Sequence, residues 1–357
     1  MLTAYILANS VTAGMKNQLL LLTPKGYPAW GKSKCLAKMA SDPGIWSRIT
    51  VIDKRYIKQE IKKKGLKNLL DEYRTKLLLE GTIDQVYLAN DKMLGNQLAV
   101  ELVRNTKYIR FDEGSASYFL KKRKWTSKIS ELVLLKILRC IVGLKSDMVY
   151  NFDSIGSAKA GTADYLYKPQ LLERFSPDPI AIQKSAITLA LQRLTPMMDE
   201  YKALEQGEVA LYLGNKQVDQ KVISAETEIK LLSEIQKMLS KRNMKLLYKP
   251  HPAEHADKLE KYSREVPGMQ FFETYEPIEI ILQKYSTIKY LISFGSSAML
   301  YAEVFSQNQG LVLLSTLHLI GLDETALDKY SILKMNMQKS GVKIPATINE
   351  MQKYLTD

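Results

Sequence analysis

YLISFGSSAMLYAEVF, residues 290–305, is an apolar run, a Gly-Ser-Ser turn and then a helical pattern. A buried strand that turns straight into a helix is the building step of a parallel α/β sheet. LLYKPHPAEH (246–255) begins the same way: an apolar run stops at Lys249, Pro250, His251 and Pro252. Working outward, strands are read at YILA (5–8), RITVID (48–53), QVYLAN (85–90), KYIRF (107–111) and MVYNF (148–152). A second group follows at VALYLG (209–214), KLLYK (245–249), MQFFE (269–273), YLISF (290–294) and LVLLS (311–315). Helical stretches such as ETEIKLLSEIQKMLSKRN (226–243) lie between them, with Ser224 placed as an N-cap. No internal repeat interrupts this alternation.

The chain is 357 residues long, which suits two domains better than one core. The proline-bearing segments FSPDPIAIQ (175–183) and TPMM (195–198) mark the join. The expected division is an N-terminal Rossmann-like domain over 1–190 and a C-terminal one over 191–340. A helix over 341–357 is expected to pack back toward the first domain. Lys plus Arg number 51 against 38 Asp plus Glu, a formal charge of +13, so a polyanionic partner is expected. Two cysteines, Cys35 and Cys140, make neither a disulfide framework nor a zinc set and read as reduced core thiols. No stretch reads as a signal peptide or a membrane span. The most apolar one, ELVLLKILRCIVGL (131–144), carries Lys136 and Arg139 and is shorter than the ~20 residues a span requires. It reads as a packed amphipathic helix, and KKRKW (121–125) just before it adds a membrane-surface option.

Three strand ends carry candidate chemistry. KYIRFDEGSASY (107–118) ends in Asp112, Glu113 and Gly114; side chains alternate along a strand, so one acid of the pair is expected to face a ligand. Its ordinary reading is an acidic turn. In YKPHPAEH, Pro250 and Pro252 fix φ and hold His251 in an extended chain. A rigid imidazole with a reference pKa near 6.5 suits a general acid or a phosphate donor; a packing or capping histidine is the alternative. In the opening stretch, Gly295 leads into Ser296 and Ser297 near a helix N-terminus, where free N–H groups favour an anion. A plain N-cap explains the same serines. Beside these, Pro277 opens a helix with Glu279 in its first turn, a carboxylate able to accept from ribose hydroxyls or simply to match the helix dipole. Gly214 ends a strand where a nucleotide would approach closely.

Taken in order, Asp112-Glu113-Gly114, His251-Pro252 and Ser296-Ser297 resemble the motifs of bacterial sialyltransferases. With the basic balance, the chain looks most like the capsule polysialyltransferases, glycosyltransferase family 38. The resemblance implies an α/β fold of the GT-B type, two Rossmann-like domains with parallel sheets facing across a central cleft. It implies inverting transfer from CMP-sialic acid to the non-reducing end of an oligo- or polysialic acid acceptor. Glu113 would match the general base and His251 the general acid, with Asp112 and Gly114 supporting the loop. Gly295, Ser296, Ser297, Pro252, Gly214, Glu279 and Lys249 would surround CMP. No cofactor or metal is implied, and no Asp-x-Asp triplet marks a metal-dependent class. The acceptor polymer would follow a basic groove. Candidate patches are KSK (32–34), KKK (62–64) and Lys121, Lys122, Arg123 and Lys124. Capsule export machinery at the cytoplasmic face of the inner membrane is the expected further partner, and nucleic acid is not expected.

Other readings share part of the pattern. Teichoic-acid glycerophosphate polymerases and Kdo transferases also carry a Lys-Pro-His-Pro and a later serine turn. The former often place an Asp just before that turn, where this chain has Phe294 and Gly295. A mono-sialyltransferase acting on lipooligosaccharide is a further alternative. A non-catalytic polyanion-binding protein explains the charge but not the three strand ends.

Overall fold

The computed structural model describes residues 1–23, 32–53, 63, 65, 68, 83–91, 96, 100, 107–114, 117–118, 161–174, 176–328 and 330–356. The chain divides into two compact units, Met1–Tyr27 with Ala37–Ala190, and Pro28–Leu36 with Leu191–Asp357. Both are α/β with parallel sheets, the fold class read from the sequence.

In the first unit β1 (Gln18–Thr23) pairs in parallel with β2 (Arg48–Asp53). A second sheet runs β3 (Tyr87–Leu88), β4 (Tyr108–Phe111), β5 (Gly161–Leu166), β6 (Pro179–Ala181), all parallel. β6 lies within the proline-bearing segment read as a linker. Its proline is the first residue of an edge strand, where a missing N–H is tolerated.

Two expectations fail here. YILA (5–8) is not a strand; it lies in the helix Leu2–Ser10, and Tyr5, Ile6, Leu7 and Ala8 are all buried. A short apolar run reads alike as a buried strand or an all-round buried helix. The first strand is instead QLLLLT, whose leucines lack the β-branching that marks strands. GTADYL is a strand that its polar residues disguised. MVYNF (148–152), the 131–144 segment and Cys140 lie outside the described residues.

β5 is polar for a reason. Asp164 is fully buried and accepts from Arg110 Nε at 2.5 Å and Nη2 at 2.9 Å, and from Arg174 at 3.0 and 3.1 Å. Ser176 also donates to it. Asp91 lies 3.7 Å from Arg110 Nη1 and accepts from Tyr108 Oη at 3.0 Å. Arg110's guanidinium fills the place a side chain on Gly161 would take, so glycine is required there.

The second unit holds β7 (Val209–Leu213), β8 (Lys245–Lys249), β9 (Gln270–Phe271), β10 (Ile288–Ser293) and β11 (Val312–Ser315). They lie in the order β11-β10-β7-β8-β9, all parallel. This is a doubly wound order with its reversal between β7 and β10. Every residue of β7 is buried, as a central strand covered on both faces demands. The helix Ala225–Ser240 covers one face. Ser224 caps it, accepting from the Thr227 N–H at 3.1 Å, and Ile229, Leu232, Ile235 and Leu239 enter the core.

The C-terminal helix Ile348–Thr356 packs within the second unit. Met351 and Leu355 join the second unit's own core, and the Leu355 carbonyl accepts from Tyr290 Oη at 3.2 Å and from Arg242. Its apolar face fits the helix Ala225–Ser240 beside it. Among the described residues, no helix is long and apolar enough to cross a membrane.

Burial pushes the Asp164 carboxyl up, but the bonds from Arg110 and Arg174 outweigh it and hold its pKa at about 2. An unfolded Asp titrates near 3.9, so this group stabilises the fold above that pH. As pH falls from about 4 through about 2, roughly 2–3 kcal/mol of stability should disappear. Denaturant unfolding of wild type and Asp164→Asn at pH 7, 4 and 2 checks this. The variant should be much weaker at pH 7 and nearly level with wild type at pH 2; a constant gap at every pH contradicts it.

Candidate active site

The parallel register puts Ser293, Leu213 and Lys249 level on adjacent strands. The chain therefore leaves β10, β7 and β8 at one edge, as Gly295-Ser296-Ser297, Gly214 and Pro250-His251-Pro252 respectively. Strands lie about 4.8 Å apart, so the serine turn and His251 flank the end of β7 on either side. In a doubly wound sheet the crevice outside the carboxyl ends, where strand order reverses, is where ligands bind. The sheet thus gathers six expected donor-side residues, Lys249, Pro252, Gly214, Gly295, Ser296 and Ser297, from three separate stretches of sequence.

The serine turn is shaped by a residue the motif does not include. Ser293 is buried; its Oγ accepts from the N–H groups of Gly295 at 3.3 Å and Ser296 at 3.2 Å, and donates to the Leu213 carbonyl at 3.4 Å. Ser296 is half-buried and caps the Ala298 N–H at 3.3 Å, whereas Ser297 is exposed. The helix expected after the turn is short and broken. Ser297–Leu300 is 3₁₀, and Ala302–Phe305 is a single α-turn. The aligned dipole there is correspondingly smaller than a long helix supplies.

His251 is exposed. Its Nδ1 accepts from the Ala253 N–H at 3.2 Å, so in the neutral ring the proton sits on Nε2. Partial burial, then Lys216 and Lys249, lower the imidazole pKa, so the ring is neutral at neutral pH. Lys249 is buried, with Nζ 3.2 Å from the Thr274 carbonyl. Burial lowers its pKa to about 8, against the pull of Glu279, Glu276 and Glu254. Glu279 is half-buried in the first turn of the helix Ile278–Lys284, behind Pro277, and burial raises its pKa.

Gly214 is glycine for packing. A side chain there would stand 2.5 Å from Glu254 Oε2 and 2.7 Å from Tyr248 Oη. Glu254 accepts from Tyr248 Oη at 2.8 Å, from the His251 N–H at 2.7 Å and from Lys258 Nζ at 2.6 Å. Lys258 also pairs with Glu228 at 3.0 Å, and Glu228 accepts from Tyr212 at 3.1 Å and Tyr262 at 2.5 Å. Burial raises the Glu254 pKa despite Lys258. The i, i+4 spacing of Glu254 and Lys258 was legible as a helix-type pair; Glu228, in the first turn of the helix Ala225–Ser240, carried no signal of its buried role.

In the first unit the acidic strand end separates into two roles. Asp112 is buried and accepts from the N–H groups of Gly114 at 2.8 Å and Tyr167 at 3.3 Å and from the Tyr118 hydroxyl. Glu113 is exposed, and its own N–H donates to Ser117 Oγ at 3.0 Å. Gly114 has φ 125°, a conformation that disfavours any side chain. Arg174 Nε donates to the Ser117 carbonyl at 3.0 Å, tying this turn to the buried Asp164 cluster.

The basic patches are only partly described. In KSK, Lys32 donates to Tyr275 Oη at 3.0 Å and Lys34 pairs with Asp199, while Ser33 donates to the buried Glu276 at 2.6 Å. The neighbouring Cys35 is buried, and burial followed by Glu276 raises its pKa, as suits a core thiol. Lys63 is exposed; Lys62, Lys64, Lys121, Lys122, Arg123 and Lys124 lie outside the described residues.

No curated protein sequence matches the chain. Among solved structures it is similar to a putative UDP-N-acetylglucosamine 2-epimerase from Listeria monocytogenes, at 12% identity and TM-score 0.43 over 94% of this chain and 91% of that one. It is also similar to S. aureus MnaA in a co-structure with UDP (11%, TM-score 0.42, 96% and 97%) and to the spinosyn forosaminyltransferase SpnP (10%, TM-score 0.41, 96% and 100%). With TM-scores this low, the fold assignment stands on the chain's own two parallel-sheet units. The family model for alpha-2,8-polysialyltransferase (POLYST) matches residues 45–315, a span that takes in the acidic strand end, His251 and the serine turn. The chain belongs to the alpha-2,8-polysialyltransferase family.

Proposed function

We propose that this sialyltransferase moves sialic acid from CMP-sialic acid to the non-reducing end of an oligo- or polysialic acid acceptor, with inversion, and so elongates capsular polysialic acid. The observation that carries the reading is the shared edge of β10, β7 and β8. It presents Ser297, Gly214 and His251 together where a doubly wound sheet takes a nucleotide. The family match supports polymer extension over single transfer to a lipooligosaccharide.

In this reading Glu113 accepts the proton of the attacking acceptor hydroxyl. Its exposure and the buried Asp112 beneath it suit a base held in place while it meets a substrate. The bond to CMP breaks as the new glycosidic bond forms at the fully substituted anomeric carbon, through an oxocarbenium-like transition state. The charge that develops on the departing phosphate is met by His251 Nε2–H and by Ser296, Ser297 and the turn's backbone. A bound phosphate places negative charge beside the imidazole and raises its pKa, which equips His251 to act as the general acid. Lys249 and Glu279 complete the donor side, Lys249 as a nearby cation and Glu279 as a ribose-hydroxyl acceptor. Lys121, Lys122, Arg123 and Lys124 are the proposed acceptor groove, where carboxylates along the polymer would be bound through many salt-sensitive contacts. The net charge of +13 fits that partner and peripheral attachment to the cytoplasmic face of the inner membrane, beside export machinery.

Transfer is proposed to need no metal, because a leaving monophosphate carries less charge than a diphosphate. Activity should survive EDTA unchanged; loss on chelation, restored by a divalent cation, contradicts this. General acid–base help is typically worth ~10²–10⁴-fold. Glu113→Gln and His251→Ala should each cut turnover by at least ~10²-fold while Glu113→Gln keeps CMP affinity, read by calorimetry beside initial rates. Near wild-type turnover in either variant removes that residue from its role.

A further inference from the structure

Behind the donor edge lies a buried ionic cluster that the chemistry above does not use. The side chains of Lys258 and Glu254 are 4% and 0% exposed, and Glu228 is likewise fully buried. An ammonium has three protons to give. Lys258 gives them to Glu254 at 2.6 Å, Glu228 at 3.0 Å and the Asn215 carbonyl at 3.2 Å. One cation thus joins the helix Ala225–Ser240, the chain just past β7 and the turn that carries His251.

That turn has few donors, because Pro250 and Pro252 have no N–H. The three it has are all used locally. The His251 N–H goes to Glu254 Oε2 at 2.7 Å, the Ala253 N–H to His251 Nδ1 at 3.2 Å, and the Glu254 N–H to the His251 carbonyl at 2.9 Å. The first and third bonds close residues 251–254 on themselves. The second sets the ring's tautomer and its rotation. Gly214 gives an independent sign that the carboxylate's position matters: the neighbouring strand end has no side chain, and Glu254 and Tyr248 occupy the space.

We propose that Glu254 is a positioning residue for transfer: anchored by Lys258, its carboxylate latches the 251–254 turn and fixes the direction in which His251 presents Nε2, and Gly214 makes the room this requires. The proposal rests on the reading of His251 as the acid. Glu254 does not touch the reacting groups. It acts through the orientation of the imidazole, where a displacement of about 1 Å can cost ~10²-fold.

The test is ring-nitrogen NMR on the full chain, together with steady-state kinetics. Only His251, His255 and His318 contribute imidazole signals, and a His251→Ala difference spectrum assigns the one of interest. Glu254→Gln keeps an acceptor oxygen for the His251 N–H but weakens the pairing with Lys258; Glu254→Ala removes both. Gly214→Ala substitutes no member of the cluster but displaces Glu254 sterically. The His251 nitrogen signals should move in all three, least in Glu254→Gln. In the two Glu254 variants kcat should fall about 10–10²-fold with the donor KM nearly unchanged; Gly214→Ala, which stands at the proposed nucleotide edge, is read by its His251 signals and kcat alone. Should Glu254→Ala fail to fold, Gly214→Ala and Glu254→Gln decide the matter. Unmoved His251 signals in folded variants overturn the proposal, as does moved signals with wild-type kcat. The NMR reading needs no turnover, so it is separate from the acid role, which fails on its own if His251→Ala transfers normally.

Discussion

The parallel pairing of β10, β7 and β8 in one register is the constraint on which the proposed donor site depends. Register fixes the level at which each strand ends, and a slip of one residue would turn every side chain to the opposite face. Here Ser293, Leu213 and Lys249 end level, so the turns that follow emerge side by side. The apolar residues of β7, all buried, leave the strand no second register that keeps its core contacts. Chemistry at the edge is thus set by packing well inside the sheet.

Each unit then supports its exposed candidate with a buried ionic cluster. Behind Glu113 lie Asp112 and, through Ser117 and Arg174, the Asp164–Arg110 pair. Behind His251 lie Glu254, Lys258 and Glu228. Buried charges are costly to desolvate and add little net stability over apolar packing. What they do provide is direction. A fully hydrogen-bonded carboxylate holds its donors within narrow angles, so the loop it anchors has one arrangement instead of several. Glu113 and Asp112 illustrate the division: adjacent residues on one strand end, one buried and hydrogen-bonded and the other left exposed.

Much of this was legible in the sequence. Apolar runs gave away eight of the eleven strands among the described residues, and the motif residues fall at strand ends because that is where a parallel sheet exposes its chain. Three things were hidden. YILA looked like a strand because a short apolar run has no period to read, and it is helical. GTADYL gave no strand signal because its Asp164 is charged, yet Arg110, distant in sequence, and the nearer Arg174 neutralise it. Glu228 carries no local signature, since its partners Lys258, Tyr212 and Tyr262 arrive from other elements; Ser293 and Lys258 likewise hide their distant contacts, the Leu213 carbonyl and Glu228. Side-chain chemistry at an edge announces itself in sequence; the hydrogen bonds that aim it depend on which elements become neighbours.

The central claim is that this family member extends a sialic acid polymer from a CMP-activated donor. The most direct measurement is to incubate the chain with CMP-sialic acid and a short oligosialic acceptor and to resolve the products by length. The account predicts release of CMP and a ladder of products longer than the primer, with lactose a much poorer acceptor. An unextended primer, or sialic acid added once to lactose in preference to the oligosialic chain, would contradict it.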